Sequence, residues 1–334
     1  MRSTRVGAIF SAAGLAVALG SGGLLAPVGL GPTNAAALGR PVIPVPGPGG
    51  AALRGPLNQI ETLNWSGYAV ANFDTPSTTT TYTGVSGTWV VPKAEQAPGY
   101  TSAYSSSWVG IGGFCTTSTC SSTDSTLIQL GTDQFWSNSG GAAYSAWYEL
   151  LPNAPVSIPL TIAPGDTVTA SLTDGPAPTV TGSATSPATK PGGGSNGGGH
   201  GGGNGGGGGG QSWILSMSVN GANAWTTTLT YDSSLLSAEW IEEAPTGCIG
   251  HHCEVLPLAN YATATFDLGT LGQNGGGLVS PNLAPSEAVA MVDPAGETST
   301  PSGPDTGDSS PDGFSTCWAS GTTLPTSCPA PPSQ

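Results

Sequence analysis

Hydrophobic and polar residues alternate with a period of two along much of the chain beyond residue 58. In the segment 126–131, Ile128 and Leu130 fall on one side, and Gln129 and Gly131 fall on the other. This is the period of a β-strand, in which successive side chains point to opposite faces. The segment therefore predicts a strand with one face in the core. The other face carries an amide beside a glycine, where another molecule can approach the backbone closely.

Similar short runs recur from residue 83 to residue 318, separated by turn residues. They are rich in β-branched and aromatic residues, which favour strands over helices. Asn220-Gly221 is typical of the turn of a β-hairpin. The runs lie at 83–91, 146–151, 167–172, 213–219, 225–231, 238–244, 288–292 and 313–318. We therefore predict an all-β protein.

The first 57 residues differ from the rest in composition. Arg2 and Arg5 precede an apolar stretch, and Ala35-Ala36-Ala37 offers a small-residue cleavage site. This pattern predicts a secretory signal peptide over residues 1–37, with a membrane anchor as the alternative. Residues 38–57 are rich in proline and glycine and form either a propeptide or a linker.

Residues 181–211 contain a tract, 191–210, that is almost wholly glycine. The entropy lost on ordering such a tract exceeds what packing could return, so we expect a flexible loop. Because strand patterns resume directly after it, we predict an insertion within one domain that spans residues 58–328. A linker between two domains is the alternative.

The charge of the chain is unevenly distributed. The formal net charge is −14, and all four arginines lie before residue 55. Beyond that point Lys93 and Lys190 stand against all 20 acidic residues, a balance of −18. Such a chain repels itself at neutral pH, and protonation of carboxyls relieves the repulsion, so the balance predicts a protein that works in acid. A halophilic surface is also acidic but carries far denser charge than 8%. No basic patch is available for nucleic acid.

The six cysteines form three local pairs along the sequence: Cys115 and Cys120, Cys248 and Cys253, and Cys317 and Cys328. An even number in an exported chain predicts disulfides, and local pairing is the simplest arrangement. Because His251 and His252 lie between Cys248 and Cys253, a metal site is the alternative for that segment. The three histidines lack an evident serine partner for a Ser/His/Asp triad. Asp305-Thr306-Gly307 resembles the active-site tripeptide of pepsin-like peptidases, but it occurs once and in a polar stretch, so we expect a surface loop.

Two strand patterns combine carboxyls with tryptophan. In 146–151, Trp147 and Glu149 share a face. In 238–244, Glu239 and Glu243 share one face, while Trp240 and Glu242 lie on the other. On its own, the first pattern is typical of an ordinary buried hydrogen bond and the second of a solvated acidic strand.

Six segments together, in this order and spacing, resemble the glutamic peptidases (eqolisins, peptidase family G1). They are Asn64-Trp65-Ser66-Gly67-Tyr68, Gly87-Thr88-Trp89-Val90-Val91-Pro92, Ser107-Trp108-Val109-Gly110-Ile111-Gly112-Gly113, Leu127-Ile128-Gln129-Leu130-Gly131, Ala146-Trp147-Tyr148-Glu149 and Ala238-Glu239-Trp240-Ile241-Glu242-Glu243. The resemblance covers residues 58–270 well and the C-terminal part weakly. It implies an antiparallel β-sandwich of the concanavalin-like or jelly-roll type, in which a concave sheet carries the cleft.

The resemblance also implies roles for individual side chains. Glu243 aligns with the catalytic glutamate, a general base that activates water, and the Gln129 amide stabilises the oxyanion. A register shift of one residue would move the base to Glu242. The residues that it places along the substrate cleft are Trp108, Asp133, Trp147 and Glu149. No metal and no cofactor is implied.

The chain also departs from the family pattern. Gly112 stands where the family has an aspartate, and Leu150 and Leu151 replace aromatic residues. The family places a disulfide where Cys248 and Cys253 stand. In the family, the cysteine near position 115 forms a disulfide with a cysteine just before the 238–244 segment. This chain has no cysteine there, so a Cys115–Cys120 disulfide would have to substitute.

We therefore expect a secreted, monomeric acid endopeptidase that hydrolyses proteins or peptides in acidic surroundings outside the cell. It would bind no nucleic acid and, after signal cleavage, no membrane. Activity between roughly pH 2 and 5 follows if Glu243 titrates near or below its ordinary pKa of about 4.3. The alternative is a non-catalytic carbohydrate-binding β-sandwich, in which Trp108 and Trp147 would matter and Gln129 need not.

Overall fold

The computed structural model describes residues 38–39, 59–71, 80–117, 120, 123–175, 210–249, 252–274, 278–279, 287–305 and 312–332. These residues lie in one compact unit, Ala36–Gln334, and they form strands, turns and bends with no helix. None of them therefore forms a helix that could cross a membrane. The predicted signal peptide and most of the glycine-rich insertion lie outside the described residues, as does the predicted propeptide apart from residues 38–39.

The strands are β1 (Leu38–Gly39), β2 (Ile60–Thr62), β3 (Trp65–Ala71), β4 (Tyr82–Val90), β5 (Ser102–Gly112), β6 (Leu127–Ser137), β7 (Gly141–Leu150), β8 (Val156–Ile158), β9 (Thr167–Gly175), β10 (Ser212–Val219), β11 (Ala222–Thr230), β12 (Ser237–Glu243), β13 (Thr246–Ile249), β14 (His252–Val255), β15 (Thr263–Gln273), β16 (Leu278–Val279), β17 (Glu287–Val292), β18 (Glu297–Pro301) and β19 (Gly313–Ser320).

Most of these strands belong to one extended antiparallel sheet. Its order is β11-β10-β9-β4-β15-β19-β18-β17-β3-β12-β5-β6-β7-β8, with β16 beside β15 and β2 parallel to β17. A separate small sheet has the order β1-β13-β14. The all-β, antiparallel fold class predicted from the alternating pattern is confirmed.

The extended sheet folds over on itself, so that its two halves pack face to face as a sandwich. The Trp240 indole on β12 donates a hydrogen bond to the Ser86 carbonyl on β4 at 2.8 Å. The Trp89 indole on β4 donates to the Thr132 hydroxyl on β6 at 3.0 Å. Large apolar side chains fill the space between the halves, among them Trp89, Trp213, Trp240, Phe266 and Phe314. The core therefore lies between the β4 half and the β12 half.

The β12 half has a second, separate apolar cluster on its outer face. It includes Trp65, Trp108, Trp147 and Ile241, none of which belongs to the cluster between the halves. Strand alternation explains the division, because neighbours along each strand point to opposite faces. Leu130 and Trp240 face the main core, while Gln129 and Glu243 face the second cluster. The face assignments predicted for β6, β7 and β12 are thus confirmed.

The ends of the predicted insertion are neighbours in the sheet. Gly175, the last residue of β9, pairs with Ser212, the first residue of β10. Gln211, the last residue of the predicted insertion, is held by two hydrogen bonds to the Ser233 backbone, at 2.8 and 2.9 Å. The Asn220-Gly221 turn has positive φ at both residues, as expected for a tight hairpin.

Two of the three predicted cysteine pairs are disulfide-bonded, Cys115–Cys120 and Cys317–Cys328. Cys248 and Cys253 lie directly opposite each other in the β13–β14 hairpin. A bridge between them stays a prediction.

The Asp305 carboxyl is buried, contrary to the surface loop that we expected. It accepts a hydrogen bond from the Gly313 backbone N–H at 3.1 Å, next to the start of β19.

Candidate active site

Three rows of side chains cross β12, β5, β6 and β7 on the outer face of this half of the sandwich. The register places Glu243, Ser106 and Asp133 in the first row, Trp108, Gly131 and Trp147 in the second, and Gly110, Gln129 and Glu149 in the third. We call this face the cleft face. The residues predicted to form the site therefore come from four neighbouring strands and lie on one surface.

Two glycines in these rows make room for the Trp108 indole. A Cβ at Gly131 would lie 2.5 Å from Cβ of Trp108, and a Cβ at Gly110 would lie 2.9 Å from its ring. A side chain at Gly110 would displace the ring, and one at Gly131 would displace the β5 backbone that carries it. The ring's position matters because it carries the N–H that holds Glu243.

Glu243 is held by hydrogen-bond donors at both carboxyl oxygens. Asn64 Nδ2 donates to Oε1 at 2.9 Å, and Trp108 Nε1 donates to Oε2 at 2.8 Å. The Trp65 ring packs edge-on against Trp108, with ring centroids 5.0 Å apart. An amide N–H and an indole N–H can only donate, so this arrangement suits a carboxylate that accepts at both oxygens.

Burial opposes that ionised form. It raises the pKa of Glu243 to about 8; the Trp108 and Trp65 indoles oppose the rise, and the charges of Glu149 and Asp133 add to it. This direction is opposite to the condition, a pKa near or below about 4.3, on which the expected activity between roughly pH 2 and 5 depends. In acid Glu149 and Asp133 are neutral, so their contribution vanishes and the pKa of Glu243 falls below 8.

Gln129 and Glu149 are directly hydrogen-bonded. Gln129 Nε2 donates to Glu149 Oε2 at 2.7 Å. Gln129 Oε1 and Glu149 Oε1 are both buried without a hydrogen-bond partner. Burial raises the pKa of Glu149 to about 7, opposed by the Gln129 amide and assisted by the charge of Asp133. The second amide N–H of Gln129 has no partner among the described residues.

Asp133 and Trp147 complete the residues that we predicted along the cleft. The Ser106 hydroxyl donates to Asp133 Oδ1 at 2.6 Å. Burial raises the pKa of Asp133 to about 6, opposed by the Ser106 hydroxyl and the Trp147 indole. Trp108 is fully buried and Trp147 is 7% exposed, so neither ring offers an open stacking surface.

Glu242, the alternative base, points to the opposite face of β12. Its Oε2 accepts a hydrogen bond from the Ser107 hydroxyl at 2.5 Å, and the side chain is fully buried. Burial raises its pKa to about 7, opposed by the Ser107 and Ser105 hydroxyls. The register therefore places Glu243, and not Glu242, on the cleft face. Every residue of β12 is buried, so the solvated acidic strand suggested by the pattern alone is wrong.

The sequence reasoning missed Asn64 as part of the site. Asn64-Trp65-Ser66 matches a glycosylation sequon, yet Asn64 is fully buried and bonds Glu243. The sequence did offer a signal for Asn64, because the segment 64–68 is one of the six that resemble the glutamic peptidases.

The departure at Gly112 has a compensating neighbour. Gly112 has φ of +91°, and a Cβ there would lie 3.0 Å from Asp124 Oδ2. The charge of Asp124 also contributes to the raised pKa of the fully buried Glu239. The Asp124 carboxyl thus lies beside the space that a side chain at position 112 would enter, and the Thr126 carbonyl oxygen, 2.3 Å from such a Cβ, blocks that space.

Within the described residues, no group of three or more His, Cys, Asp or Glu side chains is arranged to hold a metal ion.

Comparison with known proteins gives a family match over part of the chain. Residues 63–190 match the model of the Peptidase A4 family. The match confirms the resemblance to the glutamic peptidases and the prediction of a peptidase. It includes Gln129 and Glu149 and ends before β12.

One similar solved structure is the crystal structure of Scytalido-glutamic peptidase with a peptide-based transition-state analogue. It shares 23% sequence identity with this chain at a TM-score of 0.48, and the alignment covers 77% of this chain and 98% of that chain. No curated protein matches the chain.

Proposed function

We propose that the chain is an exported acid endopeptidase in which Glu243 is the general base and Gln129 donates a hydrogen bond to the oxyanion. The observation that carries this proposal is the hydrogen bonding of two side chains on the cleft face. The Glu243 carboxyl accepts from two N–H donors. The Gln129 amide donates one N–H to Glu149 and has a second N–H without a partner among the described residues. The predicted signal peptide and the two disulfides support export.

The reaction would proceed by direct attack of water. Ionised Glu243 takes a proton from a water molecule as the water oxygen bonds to the scissile carbonyl carbon. The carbonyl oxygen becomes an oxyanion, which accepts a hydrogen bond from Gln129 Nε2. Protonated Glu243 then gives its proton to the amide nitrogen, the C–N bond breaks, and an acid and an amine leave. The carboxyl ends the cycle ionised.

Acid removes the like charges around the base. Glu149 and Asp133 have raised pKa values, about 7 and about 6, so both are neutral at lower pH. With these neighbours neutral, one negative charge on Glu243 no longer meets like charges. Of the three carboxyls, Glu243 is the one with N–H donors at both oxygens. Burial still holds its pKa well above the ordinary value, so only a fraction of Glu243 is ionised in acid.

The carbohydrate-binding alternative lacks support in the geometry. Sugar-stacking platforms need exposed aromatic faces, whereas Trp108 is fully buried and bonded to Glu243. The geometry therefore favours a peptidase over a carbohydrate-binding protein.

Cleavage of an unfolded protein in acid tests the proposal. Gln129→Ala should lower kcat about 10²–10³-fold, the usual scale for one oxyanion donor, and a Gln129→Ala, Glu243→Gln double variant should be little worse than the worse single variant. Pepstatin, which targets paired aspartates, should not inhibit.

Gln134→Ala is the matched control, since Gln134 is also buried on β6 but bonds Thr132 and Ser105 on the other face. Loss of activity at Gln134 but not at Gln129 would contradict the assignment, as would inhibition by pepstatin.

A further inference from the structure

We propose that Glu149 acts as a neutral carboxylic acid whose Oε1–H is a second donor to the oxyanion, beside the amide of Gln129. This inference rests on the proposed function and adds a catalytic residue to it.

The hydrogen bonding of Glu149 defines where its proton lies. Oε2 accepts from Gln129 Nε2 at 2.7 Å, so Oε2 serves as the carbonyl-type acceptor. Oε1 is buried and has no partner. In the neutral form, a carboxyl that accepts at one oxygen carries its proton on the other. The proton therefore sits on Oε1, the atom that has no partner within the protein.

The surroundings of Glu149 favour the neutral form. The titratable groups around it are Asp133 on β6, Glu243 on β12 and Tyr231 after β11, all acids. The described residues include one lysine and no arginine, and that lysine, Lys93, bonds Glu95 on the surface. A second negative charge beside Glu243 would thus have no counter-ion, and burial disfavours it further.

Glu149 and Glu243 are therefore arranged for opposite tasks. Glu243 accepts at both oxygens, as an ionised base does, whereas Glu149 accepts at one and has the other free. Two carboxyls with different environments commonly divide acid and base roles in this way. The oxyanion would then receive one hydrogen bond from Gln129 Nε2 and one from Glu149 Oε1, with no proton leaving Glu149.

Glu149→Gln and Glu149→Ala separate this role from its alternatives. Glutamine keeps an acceptor for Gln129 and supplies N–H donors, so we expect kcat in acid within about tenfold of the wild type. Alanine supplies neither, and kcat should fall about 10²–10³-fold with KM nearly unchanged. Rescue by glutamine would exclude Glu149 as an ionised base, and a change in KM alone would reassign it to substrate binding.

The pH profile gives an independent readout in the wild type. As pH rises through about 7, Glu149 loses its proton and the donor, so kcat should fall. The Glu149→Gln variant has no proton to lose at this position, so its fall in kcat, the alkaline limb of the profile, should begin at higher pH. Asp133→Asn should keep this loss of activity but move it to lower pH, because the charge of Asp133 raises the pKa of Glu149. Glu95→Gln on the surface should leave the whole profile unchanged.

An unshifted limb in folded Glu149→Gln would overturn the proposal, as would a wild-type kcat that stays constant from pH 5 to pH 9 while the protein is folded. These outcomes leave the assignment of Glu243 intact. An active Glu243→Gln enzyme would instead refute the proposed function itself.

Discussion

Glu242 should make the protein less stable as the pH rises, and its replacement by glutamine should remove that effect. The carboxyl is fully buried between the two halves of the sandwich, and its pKa rises from 4.5 to about 7. Because the folded pKa exceeds the unfolded value, the contribution to stability is complete below pH 4.5. It is lost as pH rises through 7. At 1.36 kcal/mol per pKa unit, the loss between pH 4 and pH 8 is about 3 kcal/mol.

Urea unfolding at pH 4 and pH 8, followed by tryptophan fluorescence, measures this effect. Glu242→Gln keeps an oxygen to accept the Ser107 hydrogen bond, so the two proteins should be similar at pH 4. At pH 8 the variant should be more stable by about 3 kcal/mol. Glu254→Gln, at an exposed position on β14, is the control and should change neither value by more than about 0.5 kcal/mol. If wild type and Glu242→Gln lose equal stability between the two pH values, the reasoning fails.

Three further outcomes are expected. Replacing residues 176–209 by a short Gly/Ser turn should leave Tm nearly unchanged, because Gly175 and Ser212 are already paired neighbours; a large drop would show that the tract is structural. Cys115→Ser with Cys120→Ser should lower the free energy of unfolding by about 2 kcal/mol, and an unchanged urea midpoint would contradict the stabilising role of this short bridge. Trp108→Phe removes the donor to Glu243 Oε2 and should raise the pKa of Glu243. The rise of kcat/KM on the acid side of the pH profile should therefore move to higher pH. If it does not move, Glu243 is not the base.

The face assignments could be predicted from the sequence because they follow from a local rule. On β6, β7 and β12 the period of two divides core from cleft residues without knowledge of the neighbouring strands. The same rule separated Glu243 from Glu242 once the strand was recognised, which is the distinction on which the proposed chemistry depends.

The partners of the site residues could not be predicted in this way, because they come from distant parts of the chain. Asn64 and Glu243 are 179 residues apart and meet only because β3 pairs with β12. The compensation at Gly112 depends on a loop that brings Asp124 within 3.0 Å of the position of its missing Cβ. The raised pKa values of Glu242 and Glu243 likewise arise from burial in the folded sandwich, which no spacing of residues encodes.

A comparison of two neighbouring glutamates tests most directly whether Glu243 is the general base. Purified, folded Glu243→Gln and Glu242→Gln proteins are assayed in acid for cleavage of an unfolded protein, with peptide products measured by mass spectrometry. Glu243→Gln removes the proton acceptor on the cleft face and should abolish turnover, while Glu242→Gln should keep most activity because its side chain faces the core. Cleavage by Glu243→Gln, or loss of activity in Glu242→Gln alone, would contradict the account.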